Sequence, residues 1–326
     1  MKNAVFDRAF LRVLLVTAPF GCGGKTVYEP PPAPACVSTH TVDYDWTTSQ
    51  SDGGTTDGGT GTSPRFAEAW CANICQDTLR CMPTQNEQGR PAVRCIGECS
   101  YAAGCGRRPA QLPDCPSTVE DIQVRYLEQA AYLEAASVHA FTQLAQDLSR
   151  HGAPAALVEA AVQAAQEEVQ HARCMNDHVA AHDGVAQQVR LDPLAERSLL
   201  DIALENVVEG CVRETYGALV ACHQATHAQD DALRESMERI AHEETGHARL
   251  SFAIDRWLRD RLSAADWQRT RIAMQQAIFQ LGQQLDPPPP ATLARWAGLP
   301  SREQAHAWLH AAQHELWQEA DPDQPS

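Results

Sequence analysis

The chain has 326 residues and a formal net charge of −16. A surface that acidic repels phosphate backbones and anionic headgroups, which argues against nucleic-acid binding and against a polybasic membrane anchor. The length suits two ordinary domains, and composition divides it unevenly. Up to about residue 116 the chain is rich in Gly, Pro, Thr, Ser and Cys; beyond it Ala, Leu, Glu and Gln dominate.

In chain order, Lys2, Arg8 and Arg12 come first, followed by the apolar run "VLLVTAPF" and then "GCGG". The run is too short to span a bilayer and reads as an export signal over residues 1–22. The competing reading is a short disordered basic tail. "PFGC" is similar to the lipobox of bacterial lipoproteins, without the usual Leu three residues before the Cys. That resemblance implies a lipid on Cys22, the chain's one route to a membrane, and a cell-envelope location. Residues 23–64, with "EPPPAPA" and "SDGGTTDGGTGT", have the composition of a flexible tether.

Residues 65–116 form a cysteine-rich segment. Eight cysteines lie between Cys36 and Cys115, and "CANICQDTLRC" and "CIGECSYAAGC" share one three-Cys spacing. A dense, even set in a loop-rich stretch predicts an irregular, disulfide-rich unit in an oxidising compartment, with two short helical turns stapled together. The rival is a metal site, but zinc knuckles and rubredoxin-type sites prefer two residues between ligating cysteines, and here there are three.

Residues 117–262 read as four helices. Ser117 with Glu120 makes a capping box, and the first helix runs to about Arg150. "HGAPAA" separates it from a second helix ending near His182. Asp192-Pro193 reads as the cap of a third, which ends near "THAQDD", and a fourth runs to about Leu262. Each is about 45 Å long at 1.5 Å per residue. Short first and last connections with a longer middle one predict an all-α four-helix bundle with one crossover. Residues 263–326 add C-terminal accessory helices. Of the remaining cysteines, Cys211 and Cys222 are too far apart on one helix to pair, leaving a bridge from Cys174 or buried thiols.

The helices repeat. "EAASVHAFTQLA", starting at Glu134, matches "EGCVRETYGALV", starting at Glu209, and "QEEVQHAR" matches "HEETGHAR". Glu168 thus falls on Glu244 and His171 on His247. On the fourth helix, Leu233, Met237, Ile240, Glu244, His247, Ser251, Ile254 and Leu258 follow steps of four and three, so the polar pair sits within the apolar seam. Glu168 and His171 occupy the same place on the second helix. Glu134 lies between Leu127 and Phe141, and Glu209 between Ile202 and Tyr216.

Four carboxylates and two imidazoles buried together are costly: an isolated buried charge costs several kcal/mol even after relaxation. Two divalent cations would neutralise the carboxylates and use the imidazoles as neutral donors. The pattern resembles the ferritin-like di-iron carboxylate superfamily, including bacterioferritins and rubrerythrins, in which two helices give one Glu each and two give Glu-x-x-His. The resemblance covers roughly residues 118–262. It implies a ferritin-like bundle binding two iron (or manganese) ions through Glu134, Glu168, His171, Glu209, Glu244 and His247, with Glu168 and Glu244 bridging. Glu205 is the rival on the third helix. Glu167 and Glu243 read as flank residues rather than extra ligands, Glu214 as a residue behind the ligands or a solvated one, and Tyr216 as a core aromatic.

The expected function is an exported di-metal oxidoreductase acting with dioxygen, peroxide or ferrous ion. The alternative, from another class, is a surface-anchored binding or scaffold protein whose metals only support the fold.

Overall fold

The computed structural model describes residues 2–15, 37–43, 80–85, 91–98 and 106–317, the last span without residues 110, 111, 114, 116, 118, 192–195 and 287. The chain divides into two compact units, residues 24–100 and the remainder.

Within residues 24–100, three strands form an antiparallel sheet in the order β1-β3-β2: β1 (Val37–Asp43), β2 (Arg80–Gln85) and β3 (Pro91–Glu98). Residues 80–85 and 91–98 of the cysteine-rich segment are therefore extended, and at Cys95–Glu98 this replaces the start of an expected helical turn, while the expected turn at residues 71–75 lies outside the described residues. The local sequence gives the reason. Val93 and Ile96 are β-branched, a residue type that favours extended backbone. Pro83, which lacks a backbone donor, is confined to the edge strand β2. Register places Cys95 opposite Cys81 on one side and His40 on the other. Cys22, Cys36, Cys71, Cys75, Cys99 and Cys105 lie outside the described residues, as does the tether, so the lipid and the wider disulfide pattern fall there too.

The other unit is helical throughout its regular structure. Helix α1 (Lys2–Leu14) comes first, followed much later by α2 (Ile122–Arg150) and α3 (Ala155–Ala181). The third long run is composite: α4 (Leu199–Glu205), a π-helical stretch π1 (Asn206–Glu214) and α5 (Thr215–His227). Helix α6 (Asp231–Arg259) is the fourth.

Caps explain the boundaries and correct two expectations. Asp121, not Ser117, starts α2: its carboxylate accepts the N–H groups of Gln123 at 2.8 Å and Val124 at 3.2 Å. An ionised acceptor at that point satisfies two orphan donors of the first turn. The third run starts from a reciprocal capping box between Ser198 and Asp201, while Asp192 and Pro193 lie outside the described residues.

One long connection is visible from its ends. Just after α3 the Val185 N–H donates to Glu128 at 2.8 Å, near the start of α2. Just before α4, Arg197 donates to Asp147 at 2.7 Å, near the end of α2. Nineteen helical residues separate those anchors, about 28 Å at 1.5 Å per residue. The chain thus travels the length of α2 between its second and third runs. The third run then descends beside the first, and Gln224 near its end donates to the Tyr126 hydroxyl near the start of α2 at 2.8 Å.

The long helices share two apolar clusters, one at each end. Leu127, Met175, Leu233 and Ile240 belong to the first, and Phe141, Leu144, Ile202 and Ile254 to the second. The polar site lies along the same seams between them. A third cluster joins π1 and α5 to α7 (Ala264–Gln284), α9 (Arg302–Ala312), a short π2 (Gln313–Trp317) and α1. Between α7 and α9, α8 (Ala291–Ala297) packs Leu293 against the α2 end of the core. The C-terminal segments pack outside the four runs, as the sequence suggests. The Trp317 indole N–H donates to the Cys211 carbonyl at 2.7 Å, satisfying a backbone acceptor of the π stretch. Cys174, Cys211 and Cys222 are unbridged thiols, and burial pushes the Cys211 thiol well above its ordinary pKa.

Candidate metal centre

Helical spacing delivers the donors. Steps of three on α3 and on α6 put Glu168 with His171, and Glu244 with His247, on one face each. All four are buried, and so is Glu134 from α2. Among the described residues, two groups bring donor atoms within 4.8 Å of one another. The first is Glu134, Glu168, His171 and Glu244; the second is Glu168, Glu214 and His247. Glu168 belongs to both.

The two imidazoles are placed alike. His171 Nδ1 lies 3.5 Å from Glu134 Oε2, 3.5 Å from Glu168 Oε2 and 3.3 Å from Glu244 Oε1. His247 Nδ1 lies 3.2 Å from Glu168 Oε1 and 3.6 Å from Glu244 Oε1. Their far nitrogens are held crosswise. His171 Nε2 is 2.6 Å from Glu243 on α6, and His247 Nε2 is 2.9 Å from Glu167 on α3. A carboxylate on Nε2 fixes the tautomer that leaves Nδ1 free as a donor, the usual arrangement behind a metal-binding histidine. Glu167 and Glu243 thus lie outside both donor groups, as flank residues, and support the imidazoles from there. The signal was present: the two glutamates repeat with the same offset as Glu168 and Glu244.

The third run departs from expectation. Glu209 is in neither group of donors. Its carboxylate accepts the Arg108 N–H at 3.3 Å and lies 3.5 Å from Arg213, and its side chain is 14% exposed. Burial raises its pKa. Glu214, fully buried, reaches the centre in its place. Hydrogen bonds closing at i→i+5 put more residues into each turn than the α count allows. The repeat alignment, which treats both helices as turning alike, selects Glu209, whereas the π stretch brings Glu214 to the donors. Glu205, the rival, is turned to Arg107 at 2.6 Å and 2.9 Å. Tyr216 is a buried core aromatic, as read.

Arg107, which sequence reasoning did not single out, is completely buried. Its guanidinium pairs with Glu205, donates to Asn206 at 3.0 Å, and lies 3.7 Å from Glu214. Glycine makes room for it. A Cβ on Gly210 would collide with the Ser251 hydroxyl and lie 2.9 Å from Arg107 Nη1. Gly106, at φ +117°, has a conformation L side chains rarely adopt, and a Cβ there would strike Ser137. The mid-helix glycine was the available clue, since a glycine inside a helix costs about 1 kcal/mol and so has a packing reason. Phe141 contacts both sides of this region, with its ring centroid 4.9 Å from that of His247 and 5.6 Å from the Arg107 guanidinium carbon.

Electrostatics mark the centre as uncompensated. Burial and the neighbouring Glu168 raise the Glu134 pKa well above the carboxylate range. Burial raises that of Glu214 to about 8, against the pull of Arg107. For Glu168 burial also works upward, but the adjacent imidazoles of His171 and His247 outweigh it and hold the carboxyl at about 2. Burial works to lower both imidazoles, and the surrounding glutamates raise them instead. Eight buried polar atoms of the cluster have no hydrogen-bond partner: Oε2 of Glu134, Oε1 of Glu214, both oxygens of Glu168 and of Glu244, and Nδ1 of each histidine. Native interiors leave few such atoms, and a cluster of them calls for an ion or water. The donor set of carboxylate oxygen with imidazole nitrogen fits iron or manganese. No protein-family model, curated sequence or solved structure gives a significant match to the chain, so the geometry carries the functional reading.

Proposed function

We propose that this protein is a ferritin-like di-metal carboxylate protein, binding two iron or manganese ions and reacting with dioxygen, peroxide or ferrous ion. The observation that carries the reading is the set of eight unpartnered oxygen and nitrogen atoms converging in the core. Glu134, Glu168, His171 and Glu244 would hold one ion, and Glu168, Glu214 and His247 the other, with Glu214 standing where Glu209 was expected.

Bound as a pair, such ions supply two electrons' worth of redox change in one place. The chain's own part is positioning. Glu243 and Glu167 orient the imidazoles, the shared Glu168 keeps the two positions adjacent, and Phe141 and the apolar ends of the seams exclude water. Exclusion of water strengthens every charge interaction inside.

Export to the cell envelope is the second part of the proposal, and two features pull apart on it. "VLLVTAPFGC" has the pattern of a processed leader. Yet Phe6, Phe10 and Val13 of α1 pack into the core with π1 and the C-terminal helices, and Asp7 pairs with Arg249 at 2.6 Å. One preparation tests both. The full chain, expressed with iron and manganese available, is expected to carry about two ions per chain and to change its absorption with oxygen or peroxide. Its intact mass is expected to start at Cys22; a retained Lys2–Leu14 would end the export reading. Firmly held metal with no redox response would favour the scaffold alternative, and absence of metal would end the proposal.

A further inference from the structure

The two metal positions are built from different numbers of donors. The first has three carboxylates and an imidazole; the second has two carboxylates and an imidazole, sharing Glu168 with the first. In the sequence repeat, Glu134 and Glu209 are counterparts. Only Glu134 serves the centre, whereas Glu209 is spent on the backbone of Arg108. The residue next to it in the chain, Arg107, enters the core on that side.

Its guanidinium adjoins the second position. Glu214 Oε2 accepts the Ser251 hydroxyl at 3.0 Å, that hydroxyl is 3.4 Å from Arg107 Nη1, and Nη1 is itself 3.7 Å from Glu214 Oε2. Only Oε1 of Glu214 is left without a partner. The carboxylate is thus engaged from one side by a fixed cation before any metal arrives. A full positive charge at this depth also repels a second cation placed on Glu214's other oxygen. Gly210 clears the space for this arrangement, and Glu205 and Asn206 anchor the guanidinium on its other edges.

We infer that Arg107 is a positioning residue that makes the metal centre unequal: it holds Glu214 in place and weakens the second position, so that the Glu134 position fills first and the His247 position exchanges more readily. This rests on the di-metal reading above and assigns a role to a residue outside the donor set. The two positions therefore differ in kind: one is a resident ion, the other a place where an ion enters and leaves.

The test is an anaerobic Mn(II) titration of the full chain, stripped of metal with a chelator. It is followed by calorimetry and by the electron paramagnetic resonance signal of bound Mn(II). Two successive steps are expected, separated by about tenfold or more in dissociation constant. The magnetic signature of a coupled pair should emerge only in the second step. Arg107→Met is expected to tighten the second step by about tenfold and leave the first within about threefold. Glu214→Gln is expected to lose the second equivalent and keep the first, which keeps the inference testable if Arg107→Met does not fold. Two equal steps in the parent chain, an unchanged second step in Arg107→Met, or a surviving second equivalent in Glu214→Gln would each overturn it. Binding of no Mn(II) at all would instead bring down the di-metal reading on which it stands.

Discussion

The two halves of the helical unit carry the same motif and use it differently. In the first, an unbroken α-helix presents Glu134 to the centre, and the chain on either side of it is ordinary apolar seam. In the second, the matching helix is π-helical from Asn206 to Glu214, its aligned glutamate is diverted to Arg108, and a buried arginine presses against the carboxylate that replaces it. A duplicated sequence has kept the half of each motif that must face inward on α3 and α6. It has let the partner helices diverge. The Glu-x-x-His pair is fixed by two residues one turn apart, whereas a single glutamate on a helix can be supplied from any position that local helical geometry turns inward.

The largest expected effect falls on what the halves share. Glu168 and Glu244 sit opposite each other, each with both oxygens unpartnered. Glu168→Ala with Glu244→Ala should abolish binding of both ions, leaving metal content near zero by elemental analysis with helical circular dichroism retained. Two ions still bound per chain would refute the donor assignment. Removing those two glutamates also relieves crowding of like charge in the core, so the metal-free double variant should not melt below the metal-free parent.

Next come the crossed supports, which let the halves be perturbed separately. Glu243 holds His171 and Glu167 holds His247. Loss of such a support costs metal affinity by about 10- to 100-fold. Glu243→Ala is expected to weaken the first Mn(II) step and Glu167→Ala the second. Equal effects of both variants on both steps would mean that the centre responds as one unit and that the comparison between halves has no thermodynamic content. The surrounding glutamates raise the pKa of both His171 and His247 in the metal-free cluster, so metal competes there with protons. Affinity should therefore fall as pH is lowered in every variant.

How far the sequence could be read follows the same division. On α6 all eight residues of the anticipated seam, from Leu233 to Leu258, are buried, because a straight α-helix obeys its period without exception. The crossover was legible from loop lengths, and its ends bear it out through Glu128 and Asp147. Glu209 was expected from the repeat alignment, which carries no sign of the π stretch that brings Glu214 to the donors instead. Hydrophobic periodicity carries little warning of one, since Ile202 and Tyr216 on either side are buried as expected. Arg107 was missed for another reason: it arrives from outside the helices, on a stretch with no period at all, and only Gly106 and Gly210 hint at it. The strands β2 and β3 were missed because shared cysteine spacing was given more weight than β-branched residues such as Val93 and Ile96.

The smallest effect concerns the backbone that lets the halves differ. In the repeat, Gly210 falls on Ala135, so the same helical position carries a Cβ in one half and none in the other. Exchanging the two residues one at a time asks whether that difference is required by packing. Ala135→Gly only loosens a half-buried helical position, costing about 1 kcal/mol by helix propensity. Gly210→Ala gains the same propensity, so with open space beside it the variant would be more stable than the parent. Its new Cβ instead meets Ser251 and Arg107, and overpacking of that kind costs about 1–3 kcal/mol. Opposing signs of the two contributions leave a modest net loss, visible as a lower thermal midpoint. The displaced guanidinium should also loosen its hold on Glu214, so the second Mn(II) step should change in Gly210→Ala and stay as it is in Ala135→Gly. A stabilised Gly210→Ala chain with unaltered metal steps would show that Arg107 is not wedged against the third helix, and the asymmetry between the halves would then rest on the π stretch alone.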